Sequence, residues 1–384
     1  MDFLMTVVTY VLPFLIVLSV VVFVHEYGHF IVGRWCGIKV DAFSLGFGPE
    51  LCAFDDSKGT RWRIAAIPLG GYVKFHGDAN PASGVDPSSL TGMSEAERSV
   101  TFFAQPVWKR AATVFAGPLF NFLLAIVIFA GIYAYFGQPV LVDGQVVVTP
   151  RISAVQPGGA GAAAGFRAGD VVKSVDGEPI ESFSKFQRVI AASADKQLHI
   201  EVLRDKQDTV LTATPTLTEI EGANGKVKVG RLGLNSSADF RDMLMRPCTP
   251  VEAVGLGLRE TWNIVKQTGH FVGGLLSGRE NANQLSGPIG IAEASGQMAQ
   301  QIPTLGVWPL VNLIALLSVS IGLLNLMPVP LLDGGHLLFF AIEAFRGRAL
   351  NERVQEYAFR IGLAMVCSLM LFATYNDLAR HLHL

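Results

Sequence analysis

The chain has 384 residues, of which 50% are hydrophobic and only 16% are charged, and its mean hydropathy is +0.40. Soluble globular domains usually carry about 25% charged residues, so the composition indicates a polytopic membrane protein. The net charge of -2 gives no support to a nucleic-acid-binding surface. The four cysteines lie far apart without a CxxC pair, which argues against a disulfide framework or a cysteine zinc site.

Four apolar segments are each long enough to cross a bilayer, which takes roughly 20 residues. They cover residues 7–32, 111–136, 307–326 and 358–375. The first is too long, and too polar at its end, to be a cleaved signal peptide. The segments therefore predict four transmembrane helices.

Lys and Arg are concentrated in the loop between the first two segments and in the loop between the last two. They are Arg34, Lys39, Lys58, Arg61, Arg63, Lys74, Arg98, Lys109 and Arg110 in the first loop, and Arg346, Arg348 and Arg353 in the second. Short basic loops stay in the cytoplasm. Four spans then place both termini and the long middle region, residues 137–306, outside the cytoplasm.

The middle region contains a predicted small β-rich domain at residues 140–215. Short β-rich runs at 198–203 and 209–213 accompany a predicted helix at 183–192, with glycine-rich turns between the elements. After this domain, residues 251–276 form a predicted helix with mixed faces that lies along the membrane surface.

Two glycine-containing stretches of this domain carry a resemblance. PGGAGAAAGFRAGDVV at 157–172 resembles the ligand-loop region of bacterial PDZ domains, and VDGEPI at 175–180 fits the same family. The resemblance implies a module that binds peptides. The alternative is a small β-rich domain without a peptide-binding role.

The first apolar segment contains HEYGH at residues 25–29. His25 and His29 are four residues apart, so both imidazoles project from one face of a helix. With Glu26 they form an HExxH arrangement, in which two histidines bind a metal and the glutamate is a general base. Charged groups cost roughly 2.5–3.5 kcal/mol each within a membrane, and a metal ion would compensate them. The alternative is a polar cluster that reaches the membrane interface.

A hydrolytic zinc site needs three protein ligands and one open position, so this set lacks one ligand. The best candidate is Asp333, in the stretch NLMPVPLLDGGH at residues 325–336. Pro328 and Pro330 must break the helix, and the broken backbone must face protein or a wet cavity. Under the predicted topology both motifs lie near the cytoplasmic side. His336 is the rival third ligand.

The chain resembles the site-2 protease family, in particular its bacterial regulators of sigma-E. Three features carry the resemblance: HEYGH in the first segment, NLMPVPLLDGG in the third, and the PDZ-like insert between the second and third. The likeness covers nearly the whole chain. Further matching stretches lie at residues 46–49, 67–74, 117–121 and 286–290. Members of that branch often carry tandem PDZ modules, whereas this chain shows one. The resemblance favours Asp333 over His336 as the third ligand.

The resemblance implies an intramembrane zinc metalloprotease in which Glu26 moves the protons. Its substrates would be transmembrane segments of single-span membrane proteins, such as anti-sigma factors or signal-peptide remnants, in regulated intramembrane proteolysis. The implied partners are these substrates, membrane lipid and a peptide ligand of the PDZ-like domain, without nucleic acid. The implied location is the bacterial inner membrane.

A helical substrate must be unwound before its peptide bonds can be cleaved. Residues 61–75 have the pattern of a hairpin-like β element, which in the family is a membrane-re-entrant β-sheet. Gly70 and Gly71 would leave room at its edge for an extended substrate strand. The alternative is a cytoplasmic loop with glycines at its turns.

Asn325 offers an amide donor and acceptor beside the metal motif. The resemblance implies that Asn325, Pro328 and Pro330 hold the substrate backbone. The alternative role of Asn325 is to cap the helix that is broken at Pro328.

The complete prediction is a polytopic α-helical membrane protein with four transmembrane helices, a membrane-re-entrant β element and an inserted β-rich PDZ-like domain. Its divisions are the first transmembrane helix (1–36), the cytoplasmic and re-entrant β region (37–110), the second transmembrane helix (111–137), the PDZ-like domain (138–217), an extracytoplasmic linker with a membrane-surface helix (218–306), the third transmembrane helix with its motif (307–345) and the fourth with the C-terminus (346–384).

Two other classes of function fit parts of the pattern. The chain could be a membrane scaffold that binds peptide termini through its PDZ-like domain, with a degenerate metal site. It could also be a metal transporter with His25, His29 and Asp333 as transient ligands. The intact HExxH and Asp333 argue against the scaffold, and a general base at Glu26 would be superfluous in a transporter.

Overall fold

The computed structural model describes residues 3–78, 93–142, 145–222, 225–236, 242–280 and 286–382. The chain divides into two compact units, a helical unit of Met1–Tyr133 and Pro250–Leu384 and a β unit of Ala134–Thr249. Among the described residues, four helices are long and apolar enough to cross a membrane. They are Val7–Trp35, Val107–Phe136, Trp308–Asn325 and Arg353–Arg380, so the four predicted spans are confirmed by length and composition.

The N-terminal part of the helical unit has two long helices and a two-stranded sheet. A short turn at Phe3–Thr6 and a π-helical turn at Val7–Val11 precede the first helix. The elements in chain order are α1 (Leu12–Trp35), β1 (Val40–Asp55), β2 (Arg61–Phe75), α2 (Glu95–Ser99) and α3 (Val107–Phe136). Helix α3 begins at Val107 rather than at the predicted residue 111, because its basic first turn lies outside the apolar run.

Strands β1 and β2 form an antiparallel sheet that curls back on itself. Residues 42–45 of β1 lie opposite both 71–74 and 61–64 of β2. Gly70 has a φ of 119°, a bend that side-chain-bearing residues rarely adopt. Among the described strands, residues 71–73 pair with β1 alone, so their other edge is open to a further strand.

The part of the β unit that the structure describes contains several small sheets and two short helices. Its elements in chain order are β3 (Gln138–Pro139), β4 (Leu141–Val142), β5 (Gln145–Val146), β6 (Ile152–Val155), α4 (Ala160–Ala163), β7 (Val171–Val175), β8 (Glu178–Pro179), α5 (Phe183–Ala192), β9 (Leu198–Arg204), β10 (Gln207–Ala213), β11 (Thr216–Gly222), β12 (Gly225–Arg231), β13 (Leu234–Ser236) and β14 (Met245–Arg246). The largest sheet has the strand order β10-β9-β7-β8. Side chains of α5 and β9, including Phe186, Ile200 and Val202, share its core. The predicted helix and the two predicted β runs of this domain are confirmed.

The β unit extends past residue 217, where the sequence predicts that the domain ends and a linker begins. Strand β13 pairs with β6, with Leu234 opposite Val155, and β14 pairs with β3. Strands from the end of the unit thus pair with strands from its beginning. These strands are far apart in the sequence, and local sequence patterns do not show which distant strands will pair.

In the described residues, the regular elements in the C-terminal part of the helical unit are all helices. Its elements in chain order are α6 (Pro250–Leu276), α7 (Pro288–Gln300), α8 (Ile302–Leu305), α9 (Trp308–Asn325), α10 (Asp333–Arg346) and α11 (Glu352–Leu382). The predicted helix at 251–276 is present as α6. Ile264 of α6 is buried with Phe129 of α3 and Val319 of α9, so one face of α6 packs against two of the spanning helices.

A buried carboxylate joins α7 to α11. Asp377, only 3% exposed, accepts hydrogen bonds from the backbone amides of Gly287 and Gly290 at the start of α7. A Cβ on Gly287 would lie 2.9 Å from the Asp377 carboxylate. The glycines of the SGPIG stretch therefore allow α11 to approach and cap the beginning of α7.

Candidate active site

The HEYGH motif lies on the packed face of α1. Val17, Val21, His25, His29 and Gly33 recur every four residues, and all five are buried. Residues at this spacing share one face of a helix. The two imidazoles therefore continue an apolar contact row, as the spacing predicts, and point into the protein.

The segment between α9 and α10 returns the chain to α1. Helix α9 ends at Asn325 and α10 begins at Asp333, so the predicted break at the two prolines is present. Leu331 has a φ of 108°, a conformation that costs free energy in a residue with a side chain. A Cβ on Gly334 or Gly335 would overlap backbone atoms of residues 326–330. The double glycine thus lets α10 start directly against the broken segment.

His25, His29 and Asp333 form a group whose potential ligand atoms all lie within 4.8 Å of one another. His25 Nε2 lies 3.2 Å from His29 Nε2 and 3.1 Å from Asp333 Oδ2. His29 Nε2 lies 3.5 Å from the same carboxylate oxygen. Asp333 Oδ2 is buried and has no hydrogen-bond partner. Three donor atoms thus converge on one point, and a buried carboxylate oxygen there lacks a proton donor.

Helix α3 lies against the other side of both imidazoles. The backbone carbonyl of Thr113 lies 2.9 Å from His29 Nδ1, and the side-chain amide of Asn121 lies 3.2 Å from His25 Nδ1. Gly117 lies midway between them on the same face. A Cβ there would overlap His29 and lie 2.9 Å from His25 Cε1. The absence of a side chain at residue 117 therefore makes room for the two rings.

An ion pair holds α10 against α3. Arg110 Nη2 lies 2.6 Å from Glu343 Oε1, and both side chains are largely buried. The Arg110 guanidinium also lies over the Phe340 ring at 5.0 Å. Because α10 begins with Asp333, this pair fixes the helix that carries the carboxylate.

A cavity of ≈ 320 Å³ opens beside the three donor atoms. Its lining includes Glu26, Gly70, Gly71 and Asn325. A Cβ on Gly71 would lie 3.2 Å from Glu26 Cγ, so the edge of β2 runs next to the glutamate. The Asn325 amide nitrogen lies 3.5 Å from His25 Nε2. The structure therefore brings these predicted residues together around one space.

Three other predicted residues have a different placement. Pro328 and Pro330 do not line the cavity, and Pro330 instead contacts α11 at Gly362. Their effect is to end α9, since proline cannot continue a helix. His336 lines the cavity but does not belong to the close group of three donors, and its ring lies 5.4 Å from that of Phe359.

The contribution of α3 to the site was not predicted from the sequence. Asn121 is fully buried and Arg110 is 9% exposed, although both belong to a predominantly apolar helix. Polar groups in such a helix need partners because lipid offers none. Their presence in an apolar segment was a signal, but it did not reveal which partners they contact.

Comparison with known proteins is consistent with this geometry. The profile of Peptidase family M50 matches residues 13–369. A protein of Agrobacterium fabrum, provisionally named zinc metalloprotease Atu1380, is 48% identical over 374 residues, which cover 96% of each chain. Metalloprotease MmpA of Caulobacter vibrioides is 40% identical over 386 residues, which cover 96% of this chain and 94% of its own. The chain belongs to Peptidase family M50.

Peptidases of family M50 use zinc, and the donor set of this member fits that metal. At usual zinc–nitrogen and zinc–oxygen distances, ligand atoms of a tetrahedral site lie about 3.3 Å apart. The observed separations of 3.1, 3.2 and 3.5 Å bracket this value. The unpartnered oxygen of Asp333 is also accounted for if it is a metal ligand. Two imidazoles and a carboxylate leave a fourth position free for a reactant.

We predict that Gly117→Ala lowers the affinity of this M50 peptidase for zinc by about tenfold or more, as expected when the groups that orient metal ligands are disturbed. The added methyl group would overlap His29 and displace the ring. Zinc bound per protein is measured at graded chelator concentrations. Gly131→Ala is the matched control, since a Cβ at that site on the same helix meets no atom within 4 Å. Equal zinc affinity in the two variants would contradict the steric argument.

Proposed function

We propose that the chain is an intramembrane zinc endopeptidase of the site-2 type that cleaves transmembrane segments of single-span membrane proteins. The observation that supports this most is the convergence of His25, His29 and Asp333 next to a cavity that Glu26 lines. Two of these ligands belong to a helix long and apolar enough to cross a membrane. A peptide bond reaching this site must therefore be presented at membrane depth.

The proposed chemistry divides the work between the metal and Glu26. His25, His29 and Asp333 would hold the zinc ion, which when bound polarises the scissile carbonyl and lowers the pKa of a water molecule. The Glu26 carboxylate takes a proton from the attacking water and later donates a proton to the leaving amine nitrogen. The Glu26 side chain lies next to β2, since a Cβ on Gly71 would be 3.2 Å from Glu26 Cγ.

The substrate would be held in extended form between β2 and Asn325. Residues 71–73 have an open strand edge, and both Gly70 and Gly71 line the cavity. A substrate strand can add to such an edge through main-chain hydrogen bonds. The side chain of Asn325 also lines this cavity. Its amide would replace hydrogen bonds that the substrate helix loses on unwinding. In this proposal the β1–β2 sheet enters the membrane.

The proposed orientation follows the distribution of basic residues. The two loops that carry most of the Lys and Arg residues near the spans would face the cytoplasm of a bacterial inner membrane. The active site would then lie near the cytoplasmic side, while both termini and the β unit would lie outside. The motifs favour a place for this chain among the bacterial regulators of sigma-E, where anti-sigma factors and signal-peptide remnants are the expected substrates.

The β unit is proposed to be a single PDZ-like module that takes an extended peptide. A cavity of ≈ 680 Å³ is lined by α5, β13 and the loop at 156–159. Strand β13 pairs with β6 alone among the described strands, so its second edge is available for strand addition. Leu232 and Gly233, which precede β13, line the same cavity, so their backbone would lie close to a bound peptide. This module would control access of substrates rather than perform chemistry.

The central experiment replaces Glu26 with Gln, which removes the base and keeps the shape of the side chain. We expect cleavage of a single-span model substrate to fall at least about 100-fold, in line with the usual contribution of general acid–base catalysis. Zinc content should equal that of the wild type, because Glu26 is not a ligand. Product is quantified with purified protein in detergent, and zinc is measured on the same samples.

The matched control is Glu95→Gln, which changes an exposed glutamate on α2 and should cleave at the wild-type rate. Wild-type cleavage by Glu26→Gln would contradict the proposed role of this residue. A wild-type protein that binds zinc, cleaves no membrane substrate and carries zinc into vesicles would instead support a transporter.

A second prediction concerns substrate unwinding by Asn325. One hydrogen bond contributes roughly 0.5–1.5 kcal/mol, and more where a buried group is left unsatisfied, so Asn325→Ala should slow cleavage of a helical substrate about tenfold or more. A substrate with Gly or Pro near the scissile bond is already partly unwound and should be less affected. Asn312→Ala, at an exposed asparagine near the start of α9, is the control. Equal losses of cleavage rate for both substrates would contradict a role in unwinding. A loss of bound zinc in Asn325→Ala would indicate that Asn325 holds His25 in place.

A further inference from the structure

We infer that the Asn121 side chain is a positioning residue for the metal site, because it accepts the Nδ1 proton of His25 and so leaves Nε2 free to bind the metal. This inference deepens the proposed zinc site and rests on it. Asn121 is 0% exposed and belongs to α3, whereas His25 belongs to α1. Its amide nitrogen lies 3.2 Å from His25 Nδ1, and its amide oxygen is buried without a partner.

The neighbouring histidine shows what the site requires. His29 Nδ1 lies 2.9 Å from the backbone carbonyl of Thr113, which can only accept a hydrogen bond. His29 Nδ1 must therefore carry the proton, and His29 Nε2, which faces Asp333, is left with its lone pair. A metal-binding nitrogen must be unprotonated. The backbone of α3 thus selects the metal-binding tautomer of His29.

His25 needs the same tautomer, since its Nε2 lies 3.1 Å from Asp333 and 3.2 Å from His29 Nε2. An amide nitrogen facing Nδ1 would donate to the ring and put the imidazole proton on Nε2, the atom that faces the metal position. A half-turn of the Asn121 amide exchanges its oxygen and nitrogen in the same space. The oxygen then accepts from Nδ1, and Nε2 is free. Metal binding therefore selects the orientation in which Asn121 is the acceptor.

Asn121 occupies the position on α3 that this role demands. It lies eight residues, about two helical turns, after Thr113, with Gly117 midway. His25 and His29 are one turn apart on one face of α1. Thr113 therefore faces the His29 ring, and Asn121 faces the His25 ring. Thr113 acts through its backbone, and Gly117 acts by lacking a side chain. Asn121 is the member of this row that acts through a side-chain hydrogen-bonding group.

A purely structural role for Asn121 makes different predictions. Its backbone carbonyl accepts a hydrogen bond from Ser318 Oγ at 2.9 Å, and Gly322 packs against its Cβ. These contacts join α3 to α9 and do not involve the amide. The Ser318→Ala variant removes this hydrogen bond while leaving the Asn121 side chain in place. It is therefore the matched control for loss of α3–α9 contacts.

The test measures zinc affinity of the full-length protein in detergent by competition with a chelator, with thermal unfolding recorded on the same samples. Removing an orienting group of this kind typically weakens metal binding about 10- to 100-fold, and we expect this for Asn121→Ala. Asn121→Asp keeps an oxygen that can accept from Nδ1 and should remain close to wild-type affinity. Ser318→Ala should bind zinc as the wild type does.

Wild-type affinity in a folded Asn121→Ala protein, or equal losses in the Ala and Asp variants, would overturn the inference. A wild-type protein that binds no zinc would instead refute the proposed metal site itself. Should the Ala variant not fold, ¹⁵N-histidine NMR of zinc-loaded wild type decides. The inference requires a proton on His25 Nδ1, and a proton on His25 Nε2 overturns it.

Discussion

The constraint on which this structure depends is the burial of two imidazoles and a carboxylate between apolar helices. Lipid offers no hydrogen-bond partner to such groups, so the protein must provide one for each polar atom. His25 and His29 turn Nε2 toward Asp333 and Nδ1 toward α3. A metal ion would complete the inner side, and groups of α3 contact the outer side. The two imidazoles of α1 are thus ordered by two other helices.

This constraint explains why glycine recurs wherever an element meets the site. Gly117 lets α3 reach the imidazoles, Gly71 lets β2 approach Glu26, and Gly334 and Gly335 let α10 begin against the broken segment. A side chain at residue 117 would overlap His29, one at residue 71 would press on β1 and Glu26, and one at residue 334 or 335 would overlap the broken segment. Next to these glycines lie an open strand edge and a cavity beside the donors, where a peptide backbone could lie.

Local chemical patterns in the sequence predict most of the site. The spacing of His25 and His29 predicts one helix face for both imidazoles, the HExxH pattern adds Glu26, and the structure places Asp333 beside the histidines. The four spans followed from hydropathy. Contacts made across the fold were not predicted: Asn121 meets a histidine 96 residues away, and β13 pairs with β6 across most of the β unit. Such pairs depend on helix packing and strand topology, which leave no periodic pattern in the sequence.

We predict that one zinc ion is bound by two imidazoles and a carboxylate from opposite ends of the chain. Zinc K-edge X-ray absorption of the purified protein tests this coordination, because the method identifies the atoms bound to the metal. The expected shell has two imidazole nitrogens at about 2.0–2.1 Å, with oxygen as the remaining ligand atoms and no sulfur. The shell should keep both imidazoles and lose the protein carboxylate in Asp333→Ala. A sulfur ligand, a third imidazole, or an Asp333→Ala spectrum and zinc affinity identical to wild type would contradict it.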